Sequence, residues 1–584
     1  MGSLDRSTPL RLLSLAIALA PFALEACGEP EAHGDAAIDS SSDVEHSDVA
    51  DASRTDGSIG DANDTGGSGG DGGDAGDPCE PLGHFGAPTM TFTIPHAMDG
   101  AGAYYPDVQM SFPSVDWNNL DRLYVPAGHY AFINLGNLPE RTAAHPLVIT
   151  NSGGQVVIEP PAGSSQGYIW AINGGSHWIL TGRFDSISGT GDASFPGHRC
   201  GDYSNTRGRY GFLSDDHYIS GGHMGLGIGG ASDFEVEFVE VTRAGFAGVR
   251  MLNRPDSGGA LRPMANVRFH DNYVHDTKSE GLYFGWTGTP PSALLAHLEV
   301  FNNRIIRTGT ETGQLQNLGD GSEVHHNVFA FGAIDWRAAF QQYQDNASQT
   351  QVRQGTIRLH HNIVMGGAAS LVNYFAGPET GDTGLDVTYA DNYFADTLSL
   401  GIYLGGTAPS GARFAFDHNW FRGLDFGYDA VYSSATDPGV ILRVGGMIAG
   451  SVPFTNNTWE GSRRITDGLT GGTGTSGRVM AMGNTNAVVA PIEFVNTGLP
   501  AGTPTRRLEM WEAQATLATG SPAITYDVGA FVTEDGELYE CTALNSGQPP
   551  SMHPESWRHL PLPVDDFRLA PGSPYAAAGV GLMH

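Results

Sequence analysis

Residues 324–329 read VHHNVF and residues 359–364 read LHHNIV. The same pattern returns in FHDNYV (269–274), VFNNRI (300–305), YADNYF (389–394), FDHNWF (416–421) and FTNNTW (454–459). Each has an apolar or aromatic residue, two mostly polar residues, an asparagine, one further residue, then an apolar one. The asparagines are Asn272, Asn303, Asn327, Asn362, Asn392, Asn419 and Asn457, at spacings of 31, 24, 35, 30, 27 and 38 residues. A fixed motif at such periods is the mark of a repeat architecture.

A short strand, an asparagine at a bend and another short strand are what a parallel β-solenoid requires. Each coil's strands pair with those above and below, and an inward-turned Asn satisfies backbone groups at the bend. The spacing of 24 approximates a bare coil, and the longer spacings add loops. The seven asparagines recur on every coil, so they are structural. Composition agrees: 81 glycines and 16 % charged residues suit tight turns and short strands better than surface helices.

The ladder resembles the right-handed parallel β-helix, or pectate-lyase-like, superfamily. LYVPAGHYAFINL (123–135) followed by HPLVITNSGGQVVI (145–158) looks like the first coils of such a helix, and DFRLAPGSPYAAAG (566–579) resembles a common ending. The resemblance covers roughly residues 81–520 and implies an all-β fold. It does not choose a chemistry, because the superfamily includes lyases, hydrolases, esterases, epimerases, tailspikes and adhesins.

Stacked coils turn counting into geometry, since equal offsets from each ladder Asn should lie about 4.8 Å apart along the axis. Eight residues after Asn272, Asn303 and Asn327 stand Glu280, Glu311 and Asp335; the next two coils give Ser370 and Leu400, and the coil before gives Ala247. Three carboxylates at that spacing repel, which raises a pKa or calls for a cation. Lys278, the only lysine of the chain, lies in HDTKSEGLYFGW (275–286), with Arg307 and Arg337 on the following coils. Tyr283, Trp286 and Trp336 offer rings that could stack on sugars. Glu280, Glu311, Asp335, Lys278, Arg307 and Arg337 are therefore the candidate catalytic set. Neighbouring carboxylates suit glycoside hydrolysis. A Ca²⁺ on Glu280, Glu311 and Asp335 with a Lys or Arg base would instead suit β-elimination, as in lyases of the superfamily.

SDDHYISGGHMG (214–225) partly resembles the Asp-Asp and Gly-His-Gly elements of polygalacturonases. The gap is too short, Met224 replaces the second glycine and no Arg-Ile-Lys follows, so that assignment is set aside. Asp216, His217 and His223 remain groove candidates on earlier coils.

The chain starts with Arg6 and Arg11 before LLSLAIALAPFAL, too short for a spanning helix, then LEAC at 24–27. This resembles a bacterial lipoprotein signal with Cys27 as the lipidated residue, although Glu25 stands where a small residue is usual. Gly28 after it implies the outer membrane; simple secretion is the alternative. Residues 28–80 are acidic and rich in Gly, Ser and Asp, and read as a disordered tether. Much of the net charge of −34 lies there, which argues against a nucleic-acid partner. Beyond Cys27, the cysteines Cys79, Cys200 and Cys541 suggest one disulfide, Cys79 to Cys200, and one free thiol.

Residues 521–562 contain Tyr526, Gly529, Val532, Gly536, Tyr539 and Trp557 in an order that resembles small chitin- or cellulose-binding modules, although SPAI stands where a Trp is usual. The resemblance implies Tyr539 and Trp557 as sugar contacts, with Tyr526 packing inside. Residues 563–584 then complete the helix-type ending. The expectation is a monomeric polysaccharide-active protein, a lyase or hydrolase, outside the cytoplasm. The alternative is a surface protein of the same fold that binds glycans without chemistry.

Overall fold

The computed structural model describes most of residues 86–583; residues 97–101, 183–209, 337–345, 425–439, 468–477, 512–523 and a few shorter stretches fall outside the described set. The signal segment, Cys27, the acidic segment, Cys79, Cys200 and Arg337 thus lie outside the described residues.

The fold is a right-handed parallel β-helix. Thirty-four strands join in one sheet that coils on itself, with three strands per coil. In one coil these are Met264–His270, Tyr273–Thr277 and Leu282–Phe284; in the next, Leu295–Phe301, Arg304–Thr308 and Gly313–Leu318. We call the three faces sheets one, two and three in that order. Each strand pairs in parallel with its counterpart one coil on: Phe269 with Val300, Val274 with Ile305, Leu282 with Gly313. Alternate residues point inward and form one apolar column per strand, such as Val236, Phe269, Val300, Val324, Leu359 and Tyr389, all buried.

The asparagines form the expected ladder between sheets one and two. Asn303 Oδ1 accepts the backbone N–H of Asn272 at 2.9 Å, and its Nδ2 donates to the carbonyl of Phe269 at 2.9 Å. Every later rung repeats this: Asn362, for instance, accepts from the Asn327 N–H at 3.1 Å and donates to the Val324 carbonyl at 2.8 Å. The residue before each Asn turns the corner in the left-handed region, with φ of 55° at Asp271, 54° at Asn302, 53° at His326, 55° at His361 and 52° at His418. That explains why Asp, Asn or His recurs there, since these residues tolerate αL better than most. An eighth rung, Asn484, accepts from the Asn457 N–H at 2.9 Å. Its motif lacks a polar pair, because Gly483 makes the turn at φ 71°.

Coil pairing runs to Thr485–Asn486. Leu508–Met510, Phe531–Glu534, Glu537–Cys541 and Trp557–His559 then form a small four-stranded sheet, and Asp566–Leu569 pairs antiparallel with Phe494–Asn496. These segments cover the outer face of sheet two, where Phe567, Tyr575 and Val580 pack with Tyr273, Ile306, Val328 and Ile363. Cys541 is a buried free thiol.

Candidate active site

The corner between sheets two and three carries the predicted carboxylates, in an arrangement that differs at one point from simple counting. The N–H groups of Gly248 and Gly281 donate to the carbonyls of Glu280 and Glu311, each at 2.9 Å. Glu280 and Glu311 therefore stand at one level on adjacent coils, about 4.8 Å apart along the axis. On the next coil Gly313 pairs with Ser348, which brings Asn346 behind Glu311, and Asn346 pairs with Ser370, which pairs with Leu400. The column is Ala247, Glu280, Glu311, Asn346, Ser370, Leu400.

Asp335 is not its third carboxylate. After Gly332 the chain doubles back, and the N–H groups of Ala333, Ile334 and Asp335 donate to the carbonyls of Thr310, Thr308 and Gly309 at 2.7, 3.1 and 3.0 Å. An offset counted from Asn327 runs into this added turn. Asp335 lands instead at the level of Gly309, in a second column two residues away. A Cβ at position 309 would overlap the Lys278 carbonyl and meet the Asp335 Cβ at 3.4 Å. The missing side chain lets Lys278 Nζ reach Asp335 Oδ2 at 2.9 Å across that level. Nζ also lies 3.3 Å from Met510 Sδ.

Outside this corner, sheet three presents a register-matched row on its outer face: Arg250, Tyr283, Gln314, Gln349, Asn373 and Tyr403. Arg250 lies over the Tyr283 ring at 5.0 Å, and Arg443 over Tyr403 at 5.3 Å. Burial, with a contribution from the Glu280 charge, pushes the Tyr283 phenol above its usual pKa. Gln349 Nε2 donates to Glu311 Oε1, tying the glutamate to the row. Tyr283, Gln314 and Gln349 are buried, whereas Asn373 and Tyr403 are half-buried, so it is the Asn373–Tyr403 end of the row that offers an amide and a ring to the hydroxyls and flat face of a sugar. The glutamines carried a signal in the sequence: GQLQNL and NASQTQV place Gln at alternate positions, as on one face of a strand.

Other predicted residues are elsewhere. Arg307, 1 % exposed at its side chain, is ion-paired to Asp276 and Asp565 at 2.7 Å each and belongs to the attachment of the chain's end, away from the carboxylates. Its left-handed φ of 53° reverses the side-chain direction that strand alternation implies. Trp336 is buried, while Trp286 is half-buried, its backbone held by Asn253 and Asn317. In the small module Trp557 is 2 % exposed and packs edge-on to Tyr526 at 5.2 Å, so its ring fills the module's core rather than offering a face to a ligand. Tyr539 remains half-buried beside His559.

Asp216 and His223, set aside as a family signature, form a buried dyad. Asp216 Oδ1 lies 2.7 Å from His223 Nδ1, and Oδ2 accepts the Gly245 N–H at 2.9 Å. His223 stands two coils before Ser279, the neighbour of Glu280, so the dyad and the glutamates share one corner of the helix.

The described residues do not fit Ca²⁺ here. Asp335 is neutralised by Lys278, and Glu311 is engaged by Gln349. Two glutamates fall short of the six to eight oxygens that this ion takes.

No family profile and no curated protein matches the chain. Among solved structures, it is similar to a GH136 lacto-N-biosidase from Eubacterium ramulus at 9 % identity and a TM-score of 0.37, over 64 % of this chain and 63 % of that one. A pectate lyase, Pel9A, aligns at 12 % identity and a TM-score of 0.33, over 72 % of this chain and 85 % of that one. The Dettilon tailspike protein aligns at 11 % identity and 0.33, over 74 % and 70 %. The lacto-N-biosidase is thus matched over less than two thirds of its length, and at these values the activity has to be argued from this chain's own residues.

Proposed function

We propose that the protein cleaves glycosidic bonds of an extended polysaccharide at the corner that carries Glu280 and Glu311. The observation behind this reading is the in-register stacking of the two glutamates on adjacent coils, beside the Arg250–Tyr283 pair and the glutamine row. Carboxyl groups about 5 Å apart are the spacing of retaining hydrolysis, in which one protonates the leaving oxygen and the other attacks. Glu311, held by Gln349, is the group fixed in place, and Glu280 stands one coil before it in the same column, beside Tyr283. The lipoprotein-like start at Cys27 and the acidic segment after it would display this groove outside the cytoplasm, on the outer membrane.

Chitin, pectin, alginate and xylan, incubated with the full chain, should yield reducing ends from one substrate without the ultraviolet absorbance of unsaturated products. Glu280→Gln and Glu311→Gln should each lower kcat by about 100- to 10,000-fold while binding persists. A second reading, glycan binding without chemistry, is favoured by one observation: Glu280 is 2 % and Glu311 0 % exposed. Binding with no product from any substrate would replace the first reading with the second.

A further inference from the structure

The one lysine among the chain's 30 Lys and Arg residues meets a buried carboxylate. Lys278 Nζ lies 2.9 Å from Oδ2 of Asp335, whose side chain is 0 % exposed. Elsewhere buried aspartates meet arginine: Asp215 with Arg243, Asp276 and Asp565 with Arg307, Asp566 with Arg568. An ion pair alone would be served at least as well by a guanidinium, which holds a carboxylate through two N–H groups. What lysine adds is a primary amine, which becomes a nucleophile once it gives up its proton.

The backbone holds the two groups in contact. Gly309 stands on the coil between them, its N–H donating to the Thr277 carbonyl at 2.9 Å and its carbonyl accepting the Asp335 N–H at 3.0 Å. Its missing side chain leaves the gap that the lysine crosses. Met510 Sδ, from the C-terminal cover, is 3.3 Å from Nζ, and Trp336, the neighbour of Asp335, is buried. The carboxyl carbon is one bond beyond the oxygen that Nζ touches, and groups held in such contact react with effective molarities of about 10⁵–10⁸ M when their orbitals align. Glu280 and Glu311, two residues after Lys278 and Gly309, are both buried. A protonated carboxyl at that level supplies the acid that an amide condensation needs.

We propose that Lys278 and Asp335 join in an intramolecular isopeptide bond that the folded chain forms by itself. The ammonium passes a proton to the carboxylate, and the Nζ lone pair then attacks Asp335 Cγ. The Cγ–Nζ bond forms, one Cγ–O bond breaks, and the hydroxyl leaves with a second amine proton as water. Ammonium plus carboxylate thus becomes amide plus water, with no oxidant or co-reactant. The Lys278 side chain, 32 % exposed, gives that water a way out. The bond closes a covalent loop over residues 278–335 and ties the coil of Glu280 to the added turn after Gly332, across the coil of Glu311. It does for these coils what a disulfide does elsewhere, constraining the unfolded chain more than the folded one.

Full-length protein, denatured and digested with trypsin, should show by mass spectrometry peptide 269–304 joined to peptide 308–337, at a mass one water below their sum. Cleavage after residue 278 should be absent, and with it free peptide 269–278, FHDNYVHDTK. This reading needs no variant to fold. Lys278→Arg keeps a cation on Asp335 but has no amine to condense, so it should be cut after residue 278, give both peptides unlinked, and unfold at a lower Tm than the parent. Peptide 269–278 released in full from the parent protein, with peptide 308–337 at its sequence mass, would overturn the bond and leave an ion pair only. A linked mass that persists in Lys278→Arg would overturn it as well, since the cross-link would then lie elsewhere.

Discussion

At the scale of single residues, the ladder asparagine and the residue before it do different work, and substitutions should separate them. Asn362→Ala would leave the Asn327 N–H and the Val324 carbonyl buried without partners, at about 2–4 kcal/mol. At His418, with φ 52° and an exposed side chain, glycine should be nearly neutral, whereas His418→Val forces a β-branched residue into αL and should cost about 1–2 kcal/mol. Urea unfolding of the three variants checks the order. His270 gives a pH-dependent counterpart. Burial opposes its charge, but hydrogen bonds to Asp271 and Glu235 outweigh that and raise its pKa to about 9. Its folded pKa exceeds the unfolded one, so its stabilisation is complete below about pH 6.5 and disappears as the pH rises through 9. His270→Gln should therefore destabilise the protein more at pH 6 than at pH 10, measured as the difference in Tm from the parent protein.

At the scale of strands and turns, the sequence carried the strand-turn-strand unit because one buried Asn and one αL residue must recur on each coil. Registers across bare turns could also be counted, and Glu280, Glu311, Ser370 and Leu400 fall in one column as the offset predicts. The count failed at Asp335 because the turn after Gly332 holds extra residues, and an offset from one Asn cannot see where an insertion leaves the coil. Gly309 shows what that turn needs. Gly309→Ala would drive a Cβ into the Lys278 carbonyl, with backbone on one side and Asp335 on the other, so relief requires moving a strand. We expect a loss of about 2–3 kcal/mol by the overpacking argument, and a loosened Lys278–Asp335 pair visible as faster hydrogen exchange at Ala333 to Asp335. An exchange pattern unchanged from the parent would show that the pair does not depend on the glycine.

Across the whole molecule, the part least legible in the sequence is how the chain's end is fastened, because its partners are some 260 residues apart. Asp565, fully buried, receives both terminal nitrogens of Arg307 at 2.7 Å and the hydroxyl of Tyr273, while its carbonyl accepts from Arg304. Arg307 also holds Asp276. Reading Arg307 as a catalytic cation rested on its place in the repeat; its burial between two carboxylates makes it the pin between the β-helix and its C-terminal cover. Arg307→Ala would leave Asp276 and Asp565 buried without their shared counter-charge, at about 3–5 kcal/mol. Asp565→Ala removes one acceptor and leaves the Arg307–Asp276 pair intact, so it should cost less. The two losses should not add, since both break the same contact. Limited proteolysis should then cut first near residues 494–566 in both variants, leaving the coils intact. Any polysaccharide cleavage measured below the unfolding range should survive in Arg307→Ala, because the cation does its work at the cover and not at Glu280 and Glu311. A selective loss of kcat with unchanged proteolysis would return Arg307 to the reaction centre.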